Sequence, residues 1–195
     1  ELNPESVLVR AALGLYWREH GEPQKALDYF TKLAEQQMQA CIWPVEVGRT
    51  EAQMGNLSTA LAYFQYAVEV EPDNSDCWRE LATFSFFNEL EVSETGLPAA
   101  RKVLEMQPEE AASYDLMGLG LLTGGDRVNA EKFLLQALER DANYAPAHIH
   151  LAQVYILDGS NHEQAATHLQ FVLEHAPDST YAAIAEKLLK EYVRP

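Results

Sequence analysis

Apolar and small residues recur along the chain in a pattern that repeats every 34 to 36 residues. In its first occurrence, Ala26 is followed by Phe30 four residues later and by Leu33 three residues after that. Equivalent triplets occur four more times, at Ala60, Phe64 and Ala67; Gly96, Ala100 and Val103; Ala130, Leu134 and Ala137; and Ala165, Leu169 and Val172. Steps of three and four residues keep side chains on one face of an α-helix, so the triplets predict five amphipathic helices in phase.

A second set of positions precedes each of these helices. It pairs a large apolar residue with a small one, at Leu13-Gly14, Val47-Gly48, Leu81-Ala82, Met117-Gly118 and Leu151-Ala152. A turn glycine follows in four of the repeats, at Gly21, Gly55, Gly125 and Gly159. Glycine within a helix costs about 0.5–1 kcal/mol relative to alanine, so three glycines at one recurring place indicate a helix crossing without room for a side chain. Each repeat is therefore predicted to be a helix-turn-helix unit.

These patterns predict two helices in each repeat and one more at the end of the chain. Their predicted bounds are 4–19, 23–37, 42–54, 57–70, 75–88, 95–106, 110–123, 127–140, 145–158, 162–175 and 179–193. N-cap residues support three of the starts, at Asn3-Pro4, Asp73-Asn74-Ser75 and Asp178-Ser179. The last helix is amphipathic, as expected of a helix that caps a repeat array. Its apolar stripe is Tyr181, Ile184, Ala185, Leu188, Leu189 and Tyr192, and its polar side is Glu186, Lys187, Lys190 and Glu191.

The second and third repeats resemble the tetratricopeptide repeat (TPR), because they read W-P-V-E-V-G, then A-x3-F-x2-A-x4-P, then W-x2-L-A. The resemblance covers nearly the whole chain and implies an all-α fold, a right-handed superhelical solenoid of helix-turn-helix repeats. A single array over residues 1–195 is predicted, with repeats at 4–38, 41–72, 75–108, 111–142 and 145–177 and a capping helix at 179–193. The third repeat departs from the pattern at Gly96 and Ala100, and two extra residues precede Gly96.

Charge narrows the range of partners. The chain has 14 basic and 30 acidic residues and a net charge of -16, whereas a nucleic-acid backbone is bound by clustered Lys and Arg. No nucleic-acid partner is therefore expected. Either solubility of a protein with a large surface or selection of basic partners explains the acidity, and the sequence leaves both open. The longest apolar runs, such as 116–122, are too short to span a bilayer, so no membrane insertion is expected.

The two cysteines, Cys41 and Cys77, lie in no metal-binding or redox spacing. Both are expected to be packed thiols, which favours a reducing, cytoplasmic compartment. The chain begins at Glu1 without an initiator methionine or a signal peptide, so it is interpreted as a trimmed piece whose localisation the sequence leaves unknown.

The sequence contains no P-loop, dinucleotide-binding glycine motif or HExxH zinc motif. His148 and His150 are two residues apart on one predicted helix and so diverge, while His168 and His175 share a face without a third ligand nearby. Acidic residues such as Asp115 are expected to be dispersed over the surface. No catalysis, no metal and no cofactor are therefore expected.

The resemblance implies where a partner binds, because in TPR proteins the first helix of each repeat lines a concave groove. Carried onto this chain, the predicted groove residues are Leu15, Arg18, Val45, Arg49, Arg79, Thr83, Phe86, Leu119, Leu122, Ile149 and Gln153. Arg49 and Arg79 have no evident structural role and are predicted to contact an acidic residue of the partner. Phe84, Phe86 and Phe87 cannot all face one side of a helix, so at least one is expected to be exposed, with Phe86 as the apolar anchor. In the alternative interpretation, several of the aliphatic residues pack between neighbouring first helices.

The leading hypothesis is a protein–protein interaction scaffold that holds a peptide or helical segment of a partner protein. That segment is predicted to combine an acidic residue with a bulky apolar one, and charge reversal at Arg49 and Arg79 is predicted to weaken its binding. Two alternatives stay open: an accessory domain of a larger enzyme, and a carrier of an apolar small ligand. The partner's identity and the oligomeric state are not determined by the sequence.

Overall fold

The structure, a computed structural model, describes residues 6–159 and 161–193. Within these ranges the regular secondary structure is helical, and there is no β-strand. The helices are α1 Val7–Glu19, α2 Pro23–Gln36, α3 Ile42–Gln53, α4 Leu57–Val70, α5 Ser75–Phe87, α6 Leu97–Met106, α7 Ala111–Thr123, α8 Arg127–Arg140, α9 Ala145–Asp158, α10 His162–His175 and α11 Thr180–Leu188. The predicted all-α fold is confirmed, and most helix ends lie within one or two residues of their predicted positions.

Local signals in the sequence set several of these ends. The Asn74 side chain accepts a hydrogen bond from the Asp76 amide, and the Ser179 side chain accepts one from the Ala182 amide, so two predicted N-caps are confirmed. The third predicted cap, at Asn3-Pro4, lies outside the described residues. All four predicted turn glycines adopt the left-handed conformation that other residues rarely take, with φ between 74° and 85°.

The chain divides into two compact units, Glu1–Leu90 and Glu91–Pro195. In the first unit, each helix from α1 to α5 packs against the next, and the first helices α3 and α5 also contact each other. In the second unit, consecutive helices from α6 to α11 pack in the same way, while α7 contacts α9 and α9 contacts α11. Within each unit, first helices therefore lie side by side. The single array over residues 1–195 stays a prediction.

The recurring glycine sits where the two helices of a repeat cross. A Cβ atom added to Gly118 would lie 2.6 Å from Leu134 Cγ, and one added to Gly14 would lie 2.7 Å from the Phe30 ring. A Cβ atom added to Gly48 would be tight but less so, at 3.1 Å from the Phe64 ring. Real Cβ atoms do not approach their neighbours within 3.0 Å. The helix crossing without room for a side chain is thus confirmed.

The third repeat accommodates its two extra residues between α5 and α6. It lacks a turn glycine, and Glu89 and Glu91 instead adopt left-handed backbone conformations, with φ of 52° and 46°. A π-helical turn, Val92–Gly96, then leads into α6. The Leu90 amide donates a hydrogen bond to the Ser85 carbonyl, and the Ser85 hydroxyl donates to the Leu90 carbonyl.

A disulfide joins Cys41 and Cys77, so the expectation of two packed thiols is wrong. Cys41 is the N-cap of α3 and Cys77 lies in the first turn of α5, which brings their Cα atoms to 6.5 Å. Both residues are buried. The inference of a reducing compartment rested on free thiols and therefore loses its basis.

The last predicted helix, 179–193, is divided in the structure into α11 and a π-helical turn, Leu189–Val193. Together these two segments bury only part of the predicted apolar stripe. Ala185 and Leu189 are buried, whereas Ile184 and Tyr192 are exposed. The polar side predicted for this helix is exposed throughout. Among the described helices, none combines the length and apolar character required to cross a membrane.

Candidate functional site

Four charged residues link the first helices of the first unit, and we call them the arginine–glutamate ladder. They are Arg18 of α1, Glu46 and Arg49 of α3, and Glu80 of α5. The Glu46 carboxylate accepts one hydrogen bond from Arg18 and one from Arg49 Nη1, the latter at 2.6 Å. Arg49 also donates to both oxygens of Glu80, from Nη2 at 2.6 Å and from Nε at 3.2 Å. The ladder therefore runs across three consecutive repeats.

Arg49 is the central cation of the ladder, and its side chain is 40% exposed. Burial alone would lower its pKa, but the hydrogen bonds and charges of Glu80 and Glu46 raise the pKa above its ordinary value. Three of its five N–H groups point to these two carboxylates. The other two make no hydrogen bond to another described residue and so are available to a further acceptor.

The ladder corrects the expectation that Arg49 has no structural role. Sequence reasoning missed Glu46 and Glu80, although a signal was present: each lies two residues before the small residue of its repeat, Gly48 or Ala82. A side chain at that place faces the neighbouring first helix. Charge reversal at Arg49 would thus disturb the protein's own ion pairs as well as any partner contact.

Replacing Glu46 by glutamine is expected to lower the free energy of unfolding by about 1–3 kcal/mol, because two guanidinium groups lose a shared anionic acceptor. The Glu46 side chain is only 8% exposed, so water does not replace the lost charge. Urea unfolding followed by circular dichroism measures the change.

The matched control is Glu22→Gln. Glu22 pairs with Lys25 at 3.6 Å, but both side chains are about half exposed. Such surface pairs contribute about 0–1 kcal/mol. Equal losses in the two variants would contradict a structural role for the ladder.

Exposed aliphatic residues flank the ladder on the same helix faces. Leu15 is 39% exposed and lies three residues before Arg18 on α1, while Ile42 is 46% exposed and lies seven residues before Arg49 on α3. Residues at these helical spacings share a face. We call the exposed side of α1, α3 and α5 that carries these residues and the ladder the first-helix face of the first unit.

Other predicted groove residues of the first unit lie beneath this face or at its edge. Val45 and Phe86 are buried and so support the helices from within. Arg79 and Thr83 are partly buried on α5. The expectation that one of the three neighbouring phenylalanines is exposed is confirmed, and the exposed one is Phe87, at 74%. The choice of Phe86 as the apolar anchor is wrong, because its ring is buried.

In the second unit, a hydrogen-bonded pair of side chains links first helices in a similar way. His150 Nδ1 of α9 lies 2.7 Å from Asp115 Oδ1 of α7, and both side chains are largely buried. His150 lies two residues before Ala152, the same place that Glu46 and Glu80 take in their repeats. The expectation that Asp115 is a dispersed surface acid is therefore wrong.

The predicted groove residues of the second unit are mostly packed. Ile149 is buried, and Leu122 packs against the hydrophobic core of this unit. Leu119 and Gln153 are partly buried. Whether these residues bind a partner stays a prediction, since packing accounts for the positions of Ile149 and Leu122. In the part of the chain that the structure covers, no three His, Cys, Asp or Glu side chains converge as a metal site would need.

No family model matches the chain. Solved structures with a similar fold include TTC0263, a thermophilic TPR protein of Thermus thermophilus, at 21% identity and a TM-score of 0.71, over 95% of this chain and 100% of that one. MamA of Desulfovibrio magneticus RS-1 aligns at 18% identity and a TM-score of 0.69, over 90% of this chain and 98% of its own. YrrB, a TPR protein with an unusual peptide-binding site, aligns at 21% identity and a TM-score of 0.61, over 95% and 94%.

Proposed function

We propose that this chain, an all-α solenoid with the tetratricopeptide-repeat fold, is a protein-interaction scaffold whose first unit binds a segment of a partner protein on its first-helix face. One observation carries the proposal: exposed aliphatic side chains lie on the same helix faces as the ladder, in which the position of Arg49 is fixed by two carboxylates. Rigid polar groups next to apolar surface are what a peptide-binding face offers. YrrB has a peptide-binding site on the same fold, which adds support.

The chemistry of the face determines the partner segment that fits it. Leu15 and Ile42 favour a bulky apolar side chain, because burying such a side chain is worth about 1.5–3 kcal/mol. The two uncommitted N–H groups of Arg49 favour a carboxylate at a neighbouring place on the segment. A segment that combines an acidic with a bulky apolar residue therefore suits the face.

The direct test is to select peptides from a random library on the intact protein and to measure their affinities by fluorescence anisotropy. Peptides that combine an acidic with a bulky apolar residue are expected to be enriched. The double variant Leu15→Ser with Ile42→Ser is expected to weaken their binding by about tenfold, since it removes apolar contact and leaves the ladder intact. Added salt is expected to weaken binding to the parent protein, because Arg49 is partly exposed.

The matched control is Val128→Ser, which also replaces an exposed aliphatic residue. Val128 lies on α8, the second helix of the fourth repeat, and so is not part of the first-helix face. It is expected to leave the affinity unchanged. If the double variant binds the selected peptides as tightly as the parent protein does, the binding surface lies elsewhere. The charge reversal Arg49→Glu with Arg79→Glu is a weaker test, because the loss of the ladder would contribute to its effect.

A further inference from the structure

Two histidines meet inside the last repeat of the second unit. His148 of α9 and His168 of α10 have their Nδ1 atoms 2.8 Å apart, and His148 is only 6% exposed. The other nitrogen of His148, Nε2, lies 3.0 Å from the Ala142 carbonyl oxygen. A carbonyl can only accept a hydrogen bond, so His148 carries its proton on Nε2. When His148 is neutral, its Nδ1 accepts a hydrogen bond from His168 Nδ1–H.

Aromatic contacts hold the pair in place. The Phe171 ring stacks on His148 with ring centres 4.1 Å apart and on His175 with ring centres 4.0 Å apart. A third imidazole, that of His175, thus lies on the other side of the Phe171 ring from His148. A positive charge on any one of the three rings opposes a charge on the others.

The remaining titratable groups around the pair do little to stabilise a positive charge on either ring. From α9, the Tyr155 ring stacks on His168, and its hydroxyl donates to Glu131 of α8 at 2.8 Å. Burial and this carboxylate raise the pKa of Tyr155 to about 12, so the hydroxyl stays protonated. Asp141, the C-cap residue of α8, is the carboxylate that favours a charge on His148. From α11, Glu186 and Lys187 point to solvent.

Burial disfavours the charged form of both rings. It lowers the pKa of His148 in spite of the hydrogen bond with Ala142, and together with the neighbouring His148 it lowers the pKa of His168 to about 4. The His168 ring can take one proton on its free Nε2 and still donate from Nδ1. A second proton, on His148 Nδ1, would leave two N–H groups facing each other and break the bond.

We propose that the His148–His168 pair is an acid-sensitive lock that holds α9 against α10 at neutral pH and releases the last repeat under mildly acidic conditions. A repeat that opens exposes both rings to water, where each binds a proton near the ordinary histidine pKa of about 6.5. The closed repeat does not bind those protons until the pH is much lower. Its stability is therefore complete above about pH 6.5 and is lost as the pH falls from there towards about 4. The inference concerns the protein's own stability and does not depend on the proposed function.

The effect of pH on the opening equilibrium of the last repeat can be measured. Each proton that only the open form binds shifts the equilibrium tenfold per pH unit. Between pH 7 and pH 5 we expect a shift of about tenfold towards the open form for His168, allowing for partial screening by water. Hydrogen–deuterium exchange of α9 and α10, corrected for the intrinsic effect of pH, reports it. The ratio of their protection to that of α7 and α8 in the same unit is expected to fall about tenfold.

The decisive variant is His168→Asn, because an asparagine amide can still donate from the place of Nδ1 but does not titrate. It is expected to remove the His168 contribution to the pH dependence of the protection ratio and to leave only the smaller part that comes from His148. The matched control is His162→Asn, which removes an exposed histidine at the start of the same helix and is expected to behave like the parent protein. Two results would contradict the proposal. One is a protection ratio that does not change with pH in the parent protein, and the other is a fall in this ratio that is as large in His168→Asn as in the parent protein.

Should His168→Asn fail to fold, nuclear magnetic resonance of the unmodified protein decides instead. The ring signals of His148 and His168 are expected to stay those of neutral imidazole at pH 6. Protonation of both rings at that pH, with the α9–α10 contacts unchanged, would equally overturn the proposal.

Discussion

Removal of the disulfide, in the double variant Cys41→Ala with Cys77→Ala, is expected to lower the free energy of unfolding of the first unit by about 3–4 kcal/mol. The two cysteines are 36 residues apart, and cross-linking them restricts the unfolded chain by the entropy of closing a loop of that length. The bond also spans two repeats, since it joins the start of α3 to the first turn of α5. Urea unfolding without reductant, compared between the parent protein and the variant, measures the loss.

Two controls separate the cross-link from other effects of the substitution. Reductant added throughout unfolding is expected to bring the parent protein close to the double variant and to leave the variant unchanged. Hydrogen exchange of α7 to α10, in the other unit, is expected to be the same in both proteins. If the two proteins unfold at the same urea concentration without reductant, the disulfide does not contribute to stability.

The second large effect is expected for Gly118→Leu, which should cost at least about 1–3 kcal/mol, the range typical of overpacking a tight core. The Cβ atom alone would lie 2.6 Å from Leu134 Cγ and 3.3 Å from the Ala130 carbonyl oxygen. Leu134 is fully buried, so it has no free space into which to move. The crossing of α7 and α8 would have to widen. Thermal or urea unfolding measures the cost.

The control for this prediction is Gly124→Ala at the end of the same helix. A Cβ atom there would make ordinary contacts, the shortest of them 3.4 Å to the Gly120 carbonyl oxygen. Stability is expected to change little. Combining Gly118→Leu with Leu134→Ala should restore part of the loss, since the two side chains compete for one space. If the losses of unfolding free energy in the two single variants simply add up in the double variant, the two side chains do not share that space.

Much of the fold could be predicted from sequence because its signals are local and periodic. Gly118 faces Leu134 only sixteen residues further on, and the same glycine recurs at the same register in two other repeats. The turn glycines have nothing within 4 Å of an added Cβ atom, so their conformation alone explains them. Both kinds of glycine therefore recur at a constant spacing that can be recognised in the sequence.

The candidate site was harder to predict because it depends on side chains that meet across repeats. Arg18 and Glu46 are 28 residues apart, and His148 and His168 are 20 apart. Neither pair carries a local motif, and either residue would be equally plausible on an exposed surface. Which of Phe86 and Phe87 is exposed depends on helix phase at the end of α5, where a one-residue change turns the side chain by about 100°.

The Cys41–Cys77 bond also changes how the chain responds to a pulling force. When a protein is stretched from its ends, each residue that unfolds releases up to about 3.3–3.6 Å of length. The 36 residues of separation between the two cysteines lie within a covalent loop, so force passes through the bond and not through the loop. About 120 Å of extended chain is thereby withheld. Helix α4 lies wholly inside the loop and so is never extended under tension while the bond is intact.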